Sequence, residues 1–374
     1  LSNQRIYVKV TSNCFPKLYP NYFALSTTSF LEPNAMANIR DVAALAQVSP
    51  ITVSRVLNNP DAVSPATRAR VEAAIEELGY IPNQIARSLR SNRTNTLALV
   101  LTDITNPFWT SVARSVEDAA SGQGFNVILC NTDEREDKQA EYLSVLLRKR
   151  VDGFLFVPAR SEPDAVESIQ RQRVPVVVMD RSVPGAAVDV VRSDSEEGAY
   201  ALTSHLIGLG HRQIAMLSGP LVVSTAQERV DGYRRALAEA GIPADEHWIR
   251  EGEYTVESGY AVARQLLAGA ELPTALLGAN NFIALGAMRA IREAGLHIPT
   301  DISIVCVDDI PAWLVGEPFL TVAAQSPYDL GRQATALLLR QIREPGVHPP
   351  QEVLLPTELI VRSSTAAANG NPTE

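Results

Sequence analysis

Cysteine is scarce and scattered: Cys14, Cys130 and Cys306 lie far apart, with no Cys-x-x-Cys pair. This excludes a disulfide framework and a thiolate metal site and suits a reducing compartment, so a cytoplasmic chain without metal or cofactor is expected. Histidine is equally sparse, as His205, His211, His247, His297 and His348. None belongs to a His-Glu-x-x-His helix, and a Gly-x-x-x-x-Gly-Lys-Ser/Thr phosphate loop and a Gly-x-Ser-x-Gly elbow are both missing. Catalysis is not expected, and His211, at a helix-to-strand turn, reads as a capping or packing residue. Long apolar runs are also missing. Phe154 to Pro158 and Val174 to Met179 are strand length, so no membrane partner is expected. Leu1 to Ala35 holds Pro16, Pro20 and Pro33 without a continuous apolar stretch, unlike a signal peptide. No global excess of positive charge exists either, since 33 Lys plus Arg face 42 Asp plus Glu for a net charge of −9. What is present is length and apolar content: 374 residues, 46% hydrophobic, exceed one ordinary domain and can bury a sizeable core.

The most informative stretch is Asn38 to Asn58, which spells two short amphipathic helices joined by a tight turn, the layout of a helix-turn-helix DNA reader. Ile39, Val42, Ala43 and Ala46 fall on one face of the first helix. The pattern breaks at Val48-Ser49-Pro50, where Ser49 can accept from orphan amides and Pro50 suits a first helical position. Val53, Val56 and Leu57 then continue a buried stripe and turn Ile51, Thr52, Ser54 and Arg55 outward. Val63-Ser64-Pro65 repeats the cap and start, and that helix runs to Leu78 before Gly79 stops it. A helical hairpin packed on something other than DNA remains the alternative from these residues alone. Local charge favours DNA: from Asn38 to Arg93, Arg40, Arg55, Arg68, Arg70, Arg87, Arg90 and Arg93 outnumber Asp41, Asp61, Glu72, Glu76 and Glu77. Binding to DNA phosphates through these arginines should depend on salt.

Ile39 to Arg93 resembles the headpiece of the lactose-repressor (LacI/GalR) family, through Asp-Val-Ala-Ala-Leu-Ala, Val-Ser-Pro-Ile-Thr-Val-Ser-Arg-Val-Leu-Asn, Leu-Gly-Tyr-Ile-Pro-Asn and Ala-Arg-Ser-Leu in one order. The resemblance implies DNA contacts from Ser49, Pro50, Ile51, Thr52, Ser54, Arg55 and Asn58. It also implies a hinge, residues 83 to 95, that becomes helical on operator DNA. Arg87 belongs to this hinge, and Leu89 matches the leucine wedged into the minor groove. The family headpiece begins near its own initiator methionine, and Met36 sits just before the motif. Residues 1 to 35 are therefore expected to be either a disordered extension or sequence upstream of the native product. The helix-turn-helix domain is expected over 36 to 82.

From Thr96 onward, short β-branched runs alternate with amphipathic stretches, an α/β rhythm. Strands are expected at 97–101, 127–130, 153–157, 176–179, 188–191, 214–217, 275–277, 302–307 and 321–324. Helices are expected at 108–121, 138–149, 196–209, 229–240 and 282–294. The family resemblance extends to about Ser363. It implies a small all-α headpiece followed by an α/β periplasmic-binding-protein-like core of two doubly wound lobes over residues 96 to 366, with a disordered tail at 367 to 374.

In doubly wound sheets, ligand contacts gather at the carboxyl ends of strands. Those ends give Asp103 with Phe108 and Trp109, then Asp180, Arg229, Asn280, and Asp308 followed by Trp313. By resemblance, Phe108, Trp109, Asp180, Arg229, Asn280 and Asp308 match effector-pocket positions. Carboxylates that accept from adjacent hydroxyls, with aromatic faces beside them, suit a sugar. A nucleobase, or an organic acid paired with Arg229, is the alternative ligand, and for each Asp a loop or helix cap is the alternative role. Three departures stand out: Ile51 is apolar where several relatives hydrogen-bond, Asn281 replaces a common Asp, and Cys306-Val307 replaces a Gly-aromatic pair. The expected partners are pseudo-palindromic operator DNA, a small-molecule effector and a second copy of the chain. A sugar-binding receptor without DNA regulation is the alternative function.

Overall fold

The computed structural model describes residues 37–81, 93–346 and 349–368. The expected extension at 1 to 35, almost all of the hinge with Arg87 and Leu89, and the end of the tail lie outside the described residues. The chain separates into two compact units, Leu1–Asn83 and Gln84–Glu374.

The first unit holds α1 (Ile39–Leu45), α2 (Pro50–Asn58) and α3 (Pro65–Leu78). The starts of α2 and α3 are built by the expected chemistry, and α1 begins on a capping box that carried no expectation. Asn38 Oδ1 accepts from the Arg40 amide at 2.8 Å while Asp41 accepts the Asn38 amide at 2.8 Å. Ser49 caps α2 through the Thr52 amide, and Ser64 caps α3 through that of Thr67. Gly79 ends α3 at φ 56°, a left-handed conformation that costs glycine little. Val42, Val53, Val56 and Val71 close a small core with Ala43, Ala46 and Ala74. Ile39 and Leu57, expected in the buried stripe, are half-buried at its edge.

The second unit consists of two lobes, each a six-stranded sheet. Lobe one orders β1 (Thr96–Leu101), β2 (Asn126–Asn131), β3 (Gly153–Phe156), β4 (Val176–Met179), β5 (Asp189–Ser193) and β11 (Glu352–Leu355) as β11-β5-β4-β3-β1-β2. Its helices are α4 (Pro107–Ser121), α5 (Glu136–Arg148) and α6 (Asp164–Arg171). Lobe two orders β6 (Ile214–Ser218), β7 (Ile249–Glu251), β8 (Ala275–Gly278), β9 (Ser303–Val307), β10 (Thr321–Ala324) and β12 (Glu358–Ile360) as β12-β10-β9-β8-β6-β7. With it go α7 (Ser195–Gly208), α8 (Ser224–Glu239), α9 (Val256–Leu267), α10 (Asn281–Glu293) and α11 (Ala312–Val315). All pairings are parallel except β10 with β12. The two orders correspond strand for strand, so β4 and β9 hold equivalent places.

Parallel sheets need cover on both faces. On β1, Leu97, Leu99 and Leu101 pack into one cluster while Ala98 and Val100 pack into another. The chain passes to lobe two after β5, returns after β10, and crosses again between β11 and β12. The returning helix, α12 (Pro327–Arg343), buries Leu330, Ala334, Leu338 and Leu339 against Val112 and Val116 of α4. Gly331 permits this approach, since a Cβ there would sit 2.0 Å from Ser115 Oγ.

The nine expected strands and five expected helices of the core are present, most with shifted ends and 176–179 and 321–324 unchanged. The largest shift is at α8, which begins at Ser224 rather than Arg229. No side chain of its own caps this start, and contacts from lobe one serve instead. Strands β7, β11 and β12 and helices α6, α9, α11 and α12 carried no expectation. His211 is a packing residue as expected: buried, it bonds Thr274, Ser303 and the Ala366 carbonyl, and burial lowers its pKa.

Candidate functional site

Two sets of side chains stand out, one in each unit. In the first, α2 presents Ser49, Pro50, Ile51, Arg55 and Asn58 to solvent, with Thr52 and Ser54 half-buried. Ile51 is 64% exposed, which its hydrophobicity alone would disfavour. Asn58 turns back on its helix, its amide donating to the Ser54 carbonyl at 2.7 Å.

In the second, the strand ends of both lobes enclose a cleft of about 640 Å³. Asp103, Phe108, Trp109, Asp180, Arg229, Asn280 and Asp308 all line it. Trp313 falls in α11, and its side chain lies outside the described residues. Asp180 follows β4 and Asp308 follows β9, so the lobes contribute one carboxylate each from equivalent positions. Both are left-handed, at φ 67° and 70°. Asp tolerates this region better than most residues, and here it re-aims the chain as the strand ends.

Burial raises the pKa of both carboxyls against the opposing pull of nearby arginines. For Asp180 those are Arg181, Arg229 and Arg192. Asp308 is pushed up to about 6, with Arg229 and a hydrogen bond from the Gln325 amide opposing the shift. Arg229 therefore acts electrostatically on both carboxylates. It is itself 3% exposed, donates from Nη1 to the Ala279 carbonyl at 2.8 Å, and has no partner at Nε. Thr102 Oγ1 and Gln325 Oε1, also on the cleft wall, are likewise unpartnered. Buried polar atoms without partners are costly. Here they give the cleft a donor at Arg229, an acceptor at Gln325 and a hydroxyl at Thr102 that serves as either, beside the carboxylate acceptors Asp180 and Asp308.

The alternative cap role separates the remaining candidates. Asp103 Oδ1 already accepts the Thr105 amide and hydroxyl at 2.9 and 2.7 Å, so this carboxylate mainly shapes a turn. Asn280 does both: its oxygen caps α10 through the Ile283 amide at 2.9 Å, leaving its NH2 to offer the cleft. Phe108 and Trp109 meet edge to face, centroids 4.8 Å apart, and form the apolar wall. Arg181 is a structural anchor rather than a free cation. Fully buried, it grips both Glu134 oxygens at 2.6 and 2.8 Å and the carbonyls of Pro158 and Ala159. This fixes the cleft-lining loop where Asp133 and Glu134 are both left-handed.

Contacts across the cleft join the lobes. Asn106 and Asn281 exchange two amide hydrogen bonds. The Ser182 amide donates to Ser224 Oγ, the Ser224 amide donates to Ser161 Oγ, and Arg192 pairs with Glu228 at 3.1 Å. Burial pushes Glu228 up to about 7, with Arg192 and Arg229 opposing.

Sequence reasoning missed Thr102, Asn106, Glu134, Tyr254 and Gln325 on the cleft wall. Gln325 directly follows β10, an expected strand, so the strand-end rule already pointed to it. Asn106, before Pro107, carried a helix-start signal. Tyr254 follows β7, which is too short and exposed to register. Among the described residues no cluster of three or more His, Cys, Asp or Glu could hold a metal, and no helix is long and apolar enough to cross a membrane.

Residues 38–83 match the sequence model described as bacterial regulatory proteins, lacI family. Residues 94–363 match that of periplasmic binding proteins and the sugar binding domain of the LacI family. The chain is 39% identical over 332 residues to the HTH-type transcriptional repressor PurR of Haemophilus influenzae (strain PittEE), covering 88% of this chain and 98% of that one. Among solved structures, the Lac repressor dimer bound to operator and the anti-inducer ONPF is 31% identical with a TM-score of 0.77, covering 88% of this chain and 99% of that one. The transcriptional regulator CelR in complex with cellobiose is 34% identical with a TM-score of 0.67, at the same coverage. The chain belongs to the lacI family of bacterial DNA-binding transcriptional regulators.

Proposed function

We propose that this repressor's affinity for its operator is set by a sugar or sugar derivative held in the cleft between the lobes. The observation that carries this reading is the pair of buried carboxylates, Asp180 and Asp308, placed at equivalent strand ends with Arg229 acting on both. Each hydroxyl of a sugar both donates and accepts, so neighbouring hydroxyls can fill the carboxylates and the Arg229 Nε together. Phe108 and Trp109 would cover an apolar sugar face. The neighbour in complex with cellobiose supports a sugar. The relatives named PurR favour a second reading, a purine, whose ring N–H groups and carbonyl could meet the same donors and acceptors.

On the DNA side, the exposed row of α2 reads the major groove, with Arg55 on a base edge or phosphate and Ile51 against a thymine methyl. Arg87 and Leu89 act from the hinge, Leu89 as the minor-groove wedge. The working unit is a cytoplasmic homodimer on a pseudo-palindromic operator. Effector and operator affinities are coupled reciprocally.

The test is fluorescence anisotropy of the full chain on its own upstream DNA at fixed salt, titrated with cellobiose, ribose, hypoxanthine and guanine. A sugar that shifts specific binding supports the proposal and gives the sign of the coupling. A response to the purines alone replaces the sugar with the second reading. Sugar binding without any specific DNA binding refutes operator control and leaves a sensor.

A further inference from the structure

Asn106 and Asn281 are 5% and 1% exposed and face each other across the cleft, one from each lobe. Asn106 Nδ2 donates to Asn281 Oδ1 at 2.9 Å, and Asn281 Nδ2 donates back to Asn106 Oδ1 at 3.1 Å. Asn106 cannot turn over, because its Oδ1 also accepts the Phe108 amide at 3.0 Å and so caps α4. Its oxygen is committed as acceptor and its nitrogen as donor, and only a partner with both functions completes the pair. Position 281 is where the family resemblance leads one to expect Asp. An ionised carboxylate there would accept from Asn106 Nδ2 but set its second oxygen against Asn106 Oδ1, with no donor for it. The helices so joined carry the ligand wall: α4 bears Phe108 and Trp109, and α10 follows the cleft residue Asn280.

We propose that Asn281 is a positioning residue whose amide, interlocked with Asn106, latches the two lobes closed and tunes effector response, a function that an ionised Asp at this position releases. Its consequence for the effector rests on the function proposed above. The latch itself does not.

The test uses the full chain with Trp109 as sole tryptophan (Trp248→Phe, Trp313→Phe), reading acrylamide quenching of this buried cleft residue. Asn281→Ala removes both bonds and should shift the closed-to-open ratio roughly tenfold, exposing Trp109 to quencher. Asn281→Asp should also expose Trp109 at pH 8, because its carboxylate keeps the bond from Asn106 Nδ2 but opposes Asn106 Oδ1. At pH 5 it should return toward the parent, because position 281 is buried, burial disfavours the charged carboxylate, and the protonated acid can again donate to Asn106 Oδ1. Asp180, Asp308 and Glu228 titrate in or beside the same cleft, so the return is read as the excess over the parent's own change. Asn106→Ser is the second variant: serine still caps α4 but is too short to reach Asn281, so it too should expose Trp109. Circular dichroism confirms folding. Parent-like quenching in Asn281→Ala and Asn106→Ser, or no excess pH recovery in Asn281→Asp, overturns the latch. A sugar that still shifts operator binding in that case leaves the proposed function standing.

Discussion

Asp308→Asn should make the protein more stable and less responsive at once. Asparagine tolerates the φ of 70° at this position and can still accept from Gln325, so the backbone and that hydrogen bond survive. What changes is charge. Burial moves this carboxyl from its ordinary 3.8 to about 6, so keeping it ionised above both values costs the fold about 3 kcal/mol. The sign follows from the raised value. The penalty is complete above about pH 6, shrinks as the folded protein takes up a proton that the unfolded chain does not, and is gone below 3.8. Denaturant melts of parent and variant at pH 8 and pH 4 measure it. The variant should gain stability on the order of 3 kcal/mol at pH 8 and about none at pH 4. Effector affinity should fall roughly tenfold or more through loss of a charged acceptor. A variant that is destabilised at pH 8, or whose gain is the same at both pH values, refutes the view that Asp308 is held ionised at the expense of the fold.

Arg55→Ala should weaken operator binding by roughly tenfold while leaving effector affinity intact, because α2 and the cleft belong to separate units; calorimetry and anisotropy on the same preparation check this, and equal losses contradict it. Leu89→Ala should lower the ratio of specific to nonspecific DNA affinity, read by anisotropy on operator and scrambled duplexes, and an unchanged ratio removes the wedge role. Gly331→Ala forces a methyl against Ser115 Oγ and the Val112 carbonyl where α12 meets α4, and should cost about 1–3 kcal/mol in a denaturant melt. Wild-type stability in that variant would mean the two helices part freely.

The headpiece was legible because its signals are local. Ser49-Pro50 and Ser64-Pro65 state where helices begin, Gly79 states where one ends, and Val42, Val53 and Val56 repeat at helical spacing. Central strands such as Val176–Met179 were equally plain, since burial on both faces leaves a continuous apolar run. The edge strands β7 and β11 were not: β7 is only Ile-Arg-Glu with two of its three residues exposed, and β11 is only Glu-Val-Leu-Leu with no residue fully buried. Within the cleft, Asp103, Asp180, Asn280 and Asp308 were found from expected strand ends, while Thr102 and Gln325 at such ends and Glu134 on the 132–135 loop were not. Nothing local in Asp133-Glu134 reveals a left-handed pair, which depends on Arg181, distant in the chain, gripping Glu134. Likewise α8 began earlier than its own sequence announces because its first amide is met by a serine from the other lobe.

That borrowed cap makes the two lobes poor interchangeable parts. Helix α8 carries Arg229, yet the Ser224 amide at its start finds its acceptor on Ser161, and Ser224 Oγ receives the Ser182 amide in return. A chimera that grafts lobe two onto lobe one of a relative would bring the arginine but leave the first turn of its helix unterminated, unless hydroxyl and amide groups equivalent to those at 161 and 182 came with the host. Retargeting such a repressor to a new effector therefore calls for moving both halves of the seam as one piece.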